Sequence, residues 1–128
     1  MKSAGSPPGV LVVDDEAIIR MELAMDLGEL GFDVHEAHDV TGALAAIEAH
    51  PGIVGGVFDV HLNGDLTGYD LVRIVREKQP FFAVIMITGS GFLPPPGFDE
   101  QVLLSPKPVD SRRIALTMSA KLGLPDVA

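Results

Sequence analysis

The fold is decided by a short apolar run that ends in three consecutive acids, Val10-Leu11-Val12-Val13-Asp14-Asp15-Glu16. Successive aliphatic residues without polar alternation are typical of a strand that is buried on both faces, as in a parallel sheet covered by helices. The acids follow directly where this strand ends, which is the edge at which open parallel sheets bind their ligands. The stretch therefore predicts both a parallel sheet and an acidic site beside it.

The rest of the chain repeats this alternation of apolar strand and amphipathic helix. Strands are predicted at 10–13, 32–37, 53–60, 81–88 and 102–105, and helices at 16–30, 40–50, 67–78 and from 110 onward. This order predicts an α/β fold with a doubly wound, five-stranded parallel sheet. The segment 89–101 contains three successive prolines, which cannot continue a helix. The crossover helix between the fourth and fifth strands, the fourth helix of such a fold, is therefore predicted to be missing or reduced.

Composition excludes several classes of function. The 128 residues fit one domain, and 18 acidic against 9 basic side chains give a net charge of −9. Nucleic acid and anionic membranes need converging cations, so neither is expected as a partner. The chain has no Cys, which excludes disulfides, thiolate metal sites and thiol nucleophiles. No stretch has the pattern of a signal peptide or a membrane span, so we expect a cytoplasmic location.

Polar side chains follow several strands of the predicted sheet. Besides Asp14 and Asp15, Asp59 follows the third strand, Thr88 the fourth and Lys107 the fifth. Clustered carboxylates repel one another unless a cation intervenes, and their oxygens suit a hard divalent ion, Mg²⁺ best. Such an ion would leave an Asp oxygen free to attack phosphorus, with Lys and Thr spreading the charge. The pattern indicates a phosphoryl-transfer site, although Asp14 and Asp15 could instead only cap the first helix.

Four stretches together resemble the receiver domain of two-component response regulators, and the likeness covers about residues 9–123. They are 11–16 with its three acids, Asp59, Ile87-Thr88-Gly89 and Ser105-Pro106-Lys107-Pro108. The resemblance implies a flavodoxin-like sheet of strand order 2-1-3-4-5. The turn-favouring residues at 1–8 predict a flexible lead-in, and the few residues after the last helix leave no room for an output domain. We therefore expect a stand-alone receiver at 9–124 with a tail at 125–128.

The resemblance implies a role for each acid. Asp59 would be the phosphoacceptor. Mg²⁺, for which Mn²⁺ can substitute, would be held directly by Asp15, Asp59 and the main-chain carbonyl of His61, and through water by Asp14.

The resemblance also implies how the phosphoryl group is held. Thr88 and Lys107 would each bind a phosphoryl oxygen, while Gly89 would leave the pocket open. The Lys107-Pro108 peptide bond would be cis, as in the family.

Some positions depart from the common receiver pattern. Leu104 stands three residues before Lys107, where many receivers have a switch Tyr or Phe. His61 and Ser90 lie two residues beyond Asp59 and Thr88, at positions that tune phosphoryl lifetime in the family. Neither is the acid or amide that often positions hydrolytic water, so we expect a phosphoaspartate that lasts for minutes or longer. Thr88-Gly89 and the prolines are similar to a receiver subgroup with a Phe-Ala-Thr-Gly-type motif and a degraded fourth helix.

The expected function is a phosphoacceptor signalling switch and not a turnover enzyme. A sensor histidine kinase or histidine phosphotransfer protein would supply the phosphoryl group, and the chain would signal by protein contact as a monomer or weak dimer. One alternative is a phosphorylation-independent receiver-like binding module, which Leu104 and the prolines leave open. The other is a Mg²⁺-dependent phosphatase of the haloacid dehalogenase type, which usually needs a second Asp where this chain has His61.

Overall fold

A computed structural model describes residues 7–89, 94–98 and 102–123 of the chain. Strands and helices alternate there in the order β1 (Gly9–Val13), α1 (Ala17–Glu29), β2 (Asp33–Ala37), α2 (Val40–Ala49), β3 (Ile53–Asp59), α3 (Gly68–Lys78), β4 (Ala83–Thr88), β5 (Leu103–Pro106) and α4 (Ser111–Lys121). The strands pair in parallel as β2-β1-β3-β4-β5. The predicted doubly wound sheet of order 2-1-3-4-5 is confirmed.

The core consists of two apolar layers, one on each face of the sheet. Alternate residues of β1 enter different layers: Leu11 and Val13 pack with α2 and α3, whereas Val10 and Val12 pack with α1 and α4. All five residues of β1 are buried. This two-sided burial explains why the strand is a continuous apolar run with no polar alternation.

The observed elements differ from the predicted ranges mainly near the sheet edge. β4 begins at Ala83, two residues later than predicted, and Phe81 lies outside it with 93% of its surface exposed. β5 runs one residue later than predicted, and its Leu103 and Leu104 are 43% and 45% exposed. The predicted fourth strand began too early because Phe81 and Phe82 were assigned to it on apolar character alone.

The segment between β4 and β5 contains no helix in its described residues, Gly89, 94–98 and Val102. A turn is closed there by the Phe98 N–H, which donates to the Pro95 carbonyl at 3.0 Å. The Phe98 ring then packs edge-on against Tyr69 of α3, with centroids 4.8 Å apart. This agrees with the prediction that the fourth helix is missing or reduced.

Some predictions fall outside the described residues. These are the predictions for Ser90, for most of the lead-in (1–6) and for the tail (125–128). In the described part of the chain, no helix combines the length and apolar character needed to cross a bilayer.

Candidate functional site

Four acids converge at the carboxyl ends of β1 and β3. Each of Asp14, Asp15, Glu16 and Asp59 offers an oxygen, and these oxygens all lie within 4.8 Å of one another. They meet because β1 and β3 are neighbours, with Val13 opposite Phe58, so the residues that follow emerge side by side. The sequence analysis predicted that three of these acids, Asp14, Asp15 and Asp59, would lie close together, and they do. It missed Glu16 as a possible ligand, although the acidic run contains it.

Asp14 is a buried carboxylate with one oxygen that lacks a described partner. Its side chain is buried, its Oδ1 accepts the Glu16 N–H at 2.8 Å, and its Oδ2 has no hydrogen-bond partner among the described residues. Burial is the main cause that raises the pKa of Asp14 from 3.8 to about 6, and the neighbouring Asp59 adds to it, while the Glu16 N–H and Lys107 oppose it. A buried carboxylate oxygen without a partner needs a cation or a proton.

Asp59 is also buried, and each of its oxygens has a partner. Oδ1 accepts the His61 N–H at 3.0 Å, and Oδ2 lies 3.2 Å from the Lys107 ammonium. The same ammonium lies 3.4 Å from Glu16 Oε1. Burial works to lower the pKa of Lys107, but the charge and hydrogen bond of Asp59 and the Glu16 carboxylate outweigh it and raise that pKa. Lys107 is therefore a cation shared by the acidic cluster.

The ends of β4 and β5 bring the remaining predicted residues to this edge. Ile87 pairs with Asp59 in the sheet, so Thr88 and Gly89 follow at the same edge, and both are half-buried. The Thr88 carbonyl accepts the Lys107 N–H at 2.9 Å, which holds the loop after β5 against β4. The Lys107-Pro108 peptide bond is cis, as expected.

The amino end of α3 packs closely against the backbone of Asp59. The Gly68 N–H donates to the Val60 carbonyl at 2.8 Å, and a Cβ at Gly68 would lie 2.3 Å from the Asp59 carbonyl oxygen. Thr67 and Asp70 fix this helix start by a reciprocal capping box. Glycine is thus required beside the predicted phosphoacceptor. We did not predict this, because the only signal in the sequence was a Gly at the helix start.

Capping of α1 does not explain the acids that follow β1. The N-cap residue is Glu16, whose side chain makes no capping hydrogen bond, and the first turn of α1 contains no acid. Asp14 and Asp15 precede the helix and belong to the cluster.

The donor set of the cluster fits a hard divalent cation. It offers only carboxylate oxygens, one of them the buried Asp14 Oδ2 that has no other described partner. Oxygen ligands of this kind suit Mg²⁺. The main-chain carbonyl of His61, which the resemblance implies as a further ligand, remains a prediction.

Comparison with known proteins agrees with this geometry. The profile of the family described as "Response regulator receiver domain" matches residues 10–94. The nitrogen assimilation regulatory protein NtrX of Azorhizobium caulinodans is 37% identical over 84 residues, which is 64% of this chain and 18% of that protein. The photosynthetic apparatus regulatory protein RegA of Rhodovulum sulfidophilum is 34% identical over 87 residues, 68% of this chain and 46% of that protein. The chain thus spans less than half of these relatives.

Solved structures show the same fold. The CheY-like response regulator receiver domain protein from Methanospirillum hungatei superposes with a TM-score of 0.81 at 27% identity, covering 92% of this chain and 95% of that one. The receiver domain of NtrX from Brucella abortus superposes with a TM-score of 0.75 at 28% identity, covering 91% and 99%. Because the family profile matches residues 10–94, which is more than half of the chain, the chain belongs to the response regulator receiver domain family.

Proposed function

We propose that this chain is a Mg²⁺-dependent phosphoacceptor switch in which Asp59 takes a phosphoryl group from a sensor histidine kinase or a histidine phosphotransfer protein. Receiver domains bind Mg²⁺ at an acidic pocket, take phosphoryl groups from histidine kinases and act as switches rather than turnover enzymes. The observation that supports this role here is the buried Asp59 carboxylate, held 3.2 Å from the Lys107 ammonium inside a cluster of acids. The proposal includes a cytoplasmic location, which cell fractionation would check.

The chemistry assigns separate tasks to the chain's own residues. An Asp59 oxygen forms a new P–O bond while the P–N bond of the donor phosphohistidine breaks, and the bonding electron pair stays on the imidazole nitrogen. Asp14, Asp15 and Asp59 would hold the metal, with Glu16 close enough to contribute. The bound Mg²⁺ would supply positive charge that stabilises the transferring phosphoryl oxygens.

Lys107 and Thr88 would hold the product. The ammonium that pairs with Asp59 Oδ2 is already in place to pair with a phosphoryl oxygen there, and the Thr88 hydroxyl would donate to another. Lys107 is the first residue of the loop that leads from β5 to α4. A change in the partner of its ammonium would therefore shift this loop and alter the surface of β5 and α4. Exposed Leu103, Leu104 and Leu116 lie on these elements. We propose this surface as the contact for a downstream protein, with the chain a monomer or weak dimer.

The proposal is tested by labelling with acetyl phosphate in the presence and absence of Mg²⁺. We expect Mg²⁺-dependent incorporation into the wild type, loss of it in Asp59→Asn, and normal incorporation in Asp65→Asn, which removes an exposed acid from the loop after β3. Incorporation that survives Asp59→Asn would contradict the assignment of the phosphoacceptor. The label's half-life tests the expected lifetime of minutes or longer, which a half-life of seconds would refute.

A second candidate is a receiver-like binding module that works without phosphorylation. The observation that favours it is Leu104, a half-exposed aliphatic residue where many receivers have a switch aromatic. A wild-type protein that takes up no label from acetyl phosphate or from any histidine kinase would favour this candidate. The phosphatase alternative gains no support, because the position two residues after Asp59, where that chemistry usually needs a second Asp, is His61.

A further inference from the structure

The side chain of Arg20 ties the acidic site to two other elements. Arg20 lies in the first turns of α1, and its guanidinium reaches back to the end of β1, where Nη1 donates to the main-chain carbonyl of Asp14 at 2.9 Å. Its Nε donates to Glu36 Oε1 on β2 at 3.1 Å. Side chains on a helix lean toward its amino end, which is how Arg20 spans this gap. A single guanidinium therefore connects α1, β2 and the acidic residues that follow β1.

The bond to the Asp14 carbonyl fixes the peptide that joins two predicted metal ligands. A peptide unit is planar, so holding the carbonyl oxygen of Asp14 also fixes the direction of the Asp15 N–H and the rotation between the two residues. The other side of Asp14 is held as well, because its N–H donates to the Ala37 carbonyl at 3.2 Å. With both of its flanking peptides fixed, the direction in which the Asp14 side chain leaves the backbone is set. The peptide that follows Asp15 is held as well, because the Glu16 N–H donates to Asp14 Oδ1 at 2.8 Å, so the direction of the Asp15 side chain is also restricted.

The charge of Arg20 does not account for this arrangement. Its ion pair with Glu36 offsets the charge, and its contact with the site is to a neutral carbonyl rather than to a carboxylate. A purely electrostatic influence of Arg20 on the site would repel a divalent cation. Positioning and electrostatics therefore predict opposite effects of removing this side chain on Mg²⁺ affinity.

We propose that Arg20 is a positioning residue of the Mg²⁺ site, acting through the carbonyl of Asp14 to orient the carboxylates of Asp14 and Asp15. This inference rests on the proposed Mg²⁺-dependent function. We could not predict this role from the sequence, since the partners of an Arg on the predicted first helix are not known before the fold is.

The test is calorimetric titration of Mg²⁺ into the full chain, with wild type and Arg20→Met compared. We expect Arg20→Met to raise the Kd for Mg²⁺ by about tenfold, because removal of a group that orients metal ligands typically weakens metal binding by this much. An unchanged or tighter Kd overturns the proposal. The metal-free urea denaturation midpoint of each protein is measured in parallel, so that a loss of affinity is separated from a loss of folding.

Two control variants isolate the carbonyl contact. Arg112→Met removes an equal charge from an exposed pair with Glu29 at 3.5 Å and should leave the Kd unchanged. Glu36→Gln removes the ion pair but leaves Arg20 able to reach the Asp14 carbonyl, so its Kd should stay close to wild type. A loss in Glu36→Gln as large as in Arg20→Met would assign the effect to the link between α1 and β2 and overturn the proposal.

A conservative variant covers the case in which Arg20→Met does not fold. Arg20→Lys keeps the charge but has one ammonium in place of the guanidinium fork, and the nearby Glu36 carboxylate is its stronger partner. We expect its Mg²⁺ affinity to fall too, and a wild-type Kd in this variant refutes the positioning role.

A kinetic readout separates positioning from general damage. In acetyl phosphate labelling, the Mg²⁺ concentration that gives half the maximal rate should rise in Arg20→Met, while the rate at saturating Mg²⁺ returns near that of the wild type. A lowered saturating rate with an unchanged half-maximal concentration contradicts the proposal. A wild-type chain that binds no Mg²⁺ overturns the proposed function itself, which distinguishes the two failures.

Discussion

The Lys107 ammonium lies 3.2 Å from Asp59 Oδ2, although the two residues are 48 positions apart in the chain. Lys107 follows β5 and Asp59 is the last residue of β3, and these strands are not neighbours, because β4 lies between them in the sheet. The Lys107 side chain thus reaches across the end of β4. This contact joins the buried acid of β3 to the loop that begins α4.

Replacing Lys107 should destabilise the metal-free protein. Lys107→Met leaves Asp59 Oδ2 buried without its cation, which should lower the free energy of unfolding by about 1–3 kcal/mol at neutral pH. Urea denaturation measures this. In an Asp59→Asn background the same change should cost less, because the buried charge is already gone.

The matched control for this prediction is Arg112→Met. Its pair with Glu29 is exposed, so its loss should change the free energy of unfolding by less than about 0.5 kcal/mol. Equal costs for the two substitutions would show that the buried position of Asp59 has no special energetic role.

Asp14 should make stability depend on pH in the absence of Mg²⁺. Its pKa is raised from 3.8 to about 6 in the folded state, so between about pH 4 and pH 6 the folded protein binds more protons than the unfolded chain. The stabilisation from this group is therefore complete below the unfolded pKa and is lost as pH rises through the folded pKa. Asp14→Asn should remove this loss.

The measurement is the free energy of unfolding of both proteins across that pH range, in buffer with a chelator. The advantage of Asp14→Asn over wild type should increase with pH. Asp70, whose pKa is lowered chiefly by the Thr67 N–H, contributes the opposite trend, but it is present in both proteins and cancels in the difference. A difference that stays constant with pH would contradict the assignment to Asp14.

Gly68→Ala should displace the backbone of Asp59. The added Cβ would lie 2.3 Å from the Asp59 carbonyl oxygen and 2.8 Å from Met86 Cε, so α3 or β3 must shift. Overpacking of this kind costs about 1–3 kcal/mol. Thermal and urea denaturation give the cost, and acetyl phosphate labelling shows whether the shift reaches Asp59.

Gly28→Ala is the control for Gly68→Ala. Gly28 lies in α1, and a Cβ there would meet no atom within 4 Å. We expect this change to stabilise the chain by about 0.5–1 kcal/mol, because alanine favours the helix more than glycine does. If both variants are destabilised, the cost of Gly68→Ala comes from replacing a glycine in the backbone and not from the contact of the new Cβ with Asp59.

Phe98 should stabilise the proline-rich segment through Tyr69. Phe98→Leu keeps an apolar side chain but loses the edge-on contact, which should cost about 0.5–1.5 kcal/mol. Because Tyr69 is the only Tyr and the chain has no Trp, intrinsic fluorescence reports the change directly. Phe81→Leu, at a residue 93% exposed, should leave both stability and fluorescence unchanged.

Local patterns were sufficient to predict the fold class and the meeting of Asp14, Asp15 and Asp59 at one end of the sheet. The uninterrupted apolar run of β1 indicated two-sided burial, and the acids that follow it indicated the ligand edge of a parallel sheet. The prolines after β4 predicted the reduced crossover helix. Each of these signals lies within a short window of sequence, where periodicity and backbone restriction act.

Only the tertiary structure decided the contacts that give the site its chemistry. The Lys107 pair with Asp59 joins residues 48 positions apart, and burial leaves Asp14 Oδ2 with no hydrogen-bond partner among the described residues. The contact of Arg20 with the Asp14 carbonyl depends on how α1 lies against the end of β1. The close approach of Gly68 to Asp59 depends on how α3 docks. The sequence by itself determined which residues follow the strands, because the alternation of apolar strands and amphipathic helices along the chain is encoded locally. Their distances, burial and charges depend on long-range packing, which no local pattern contains.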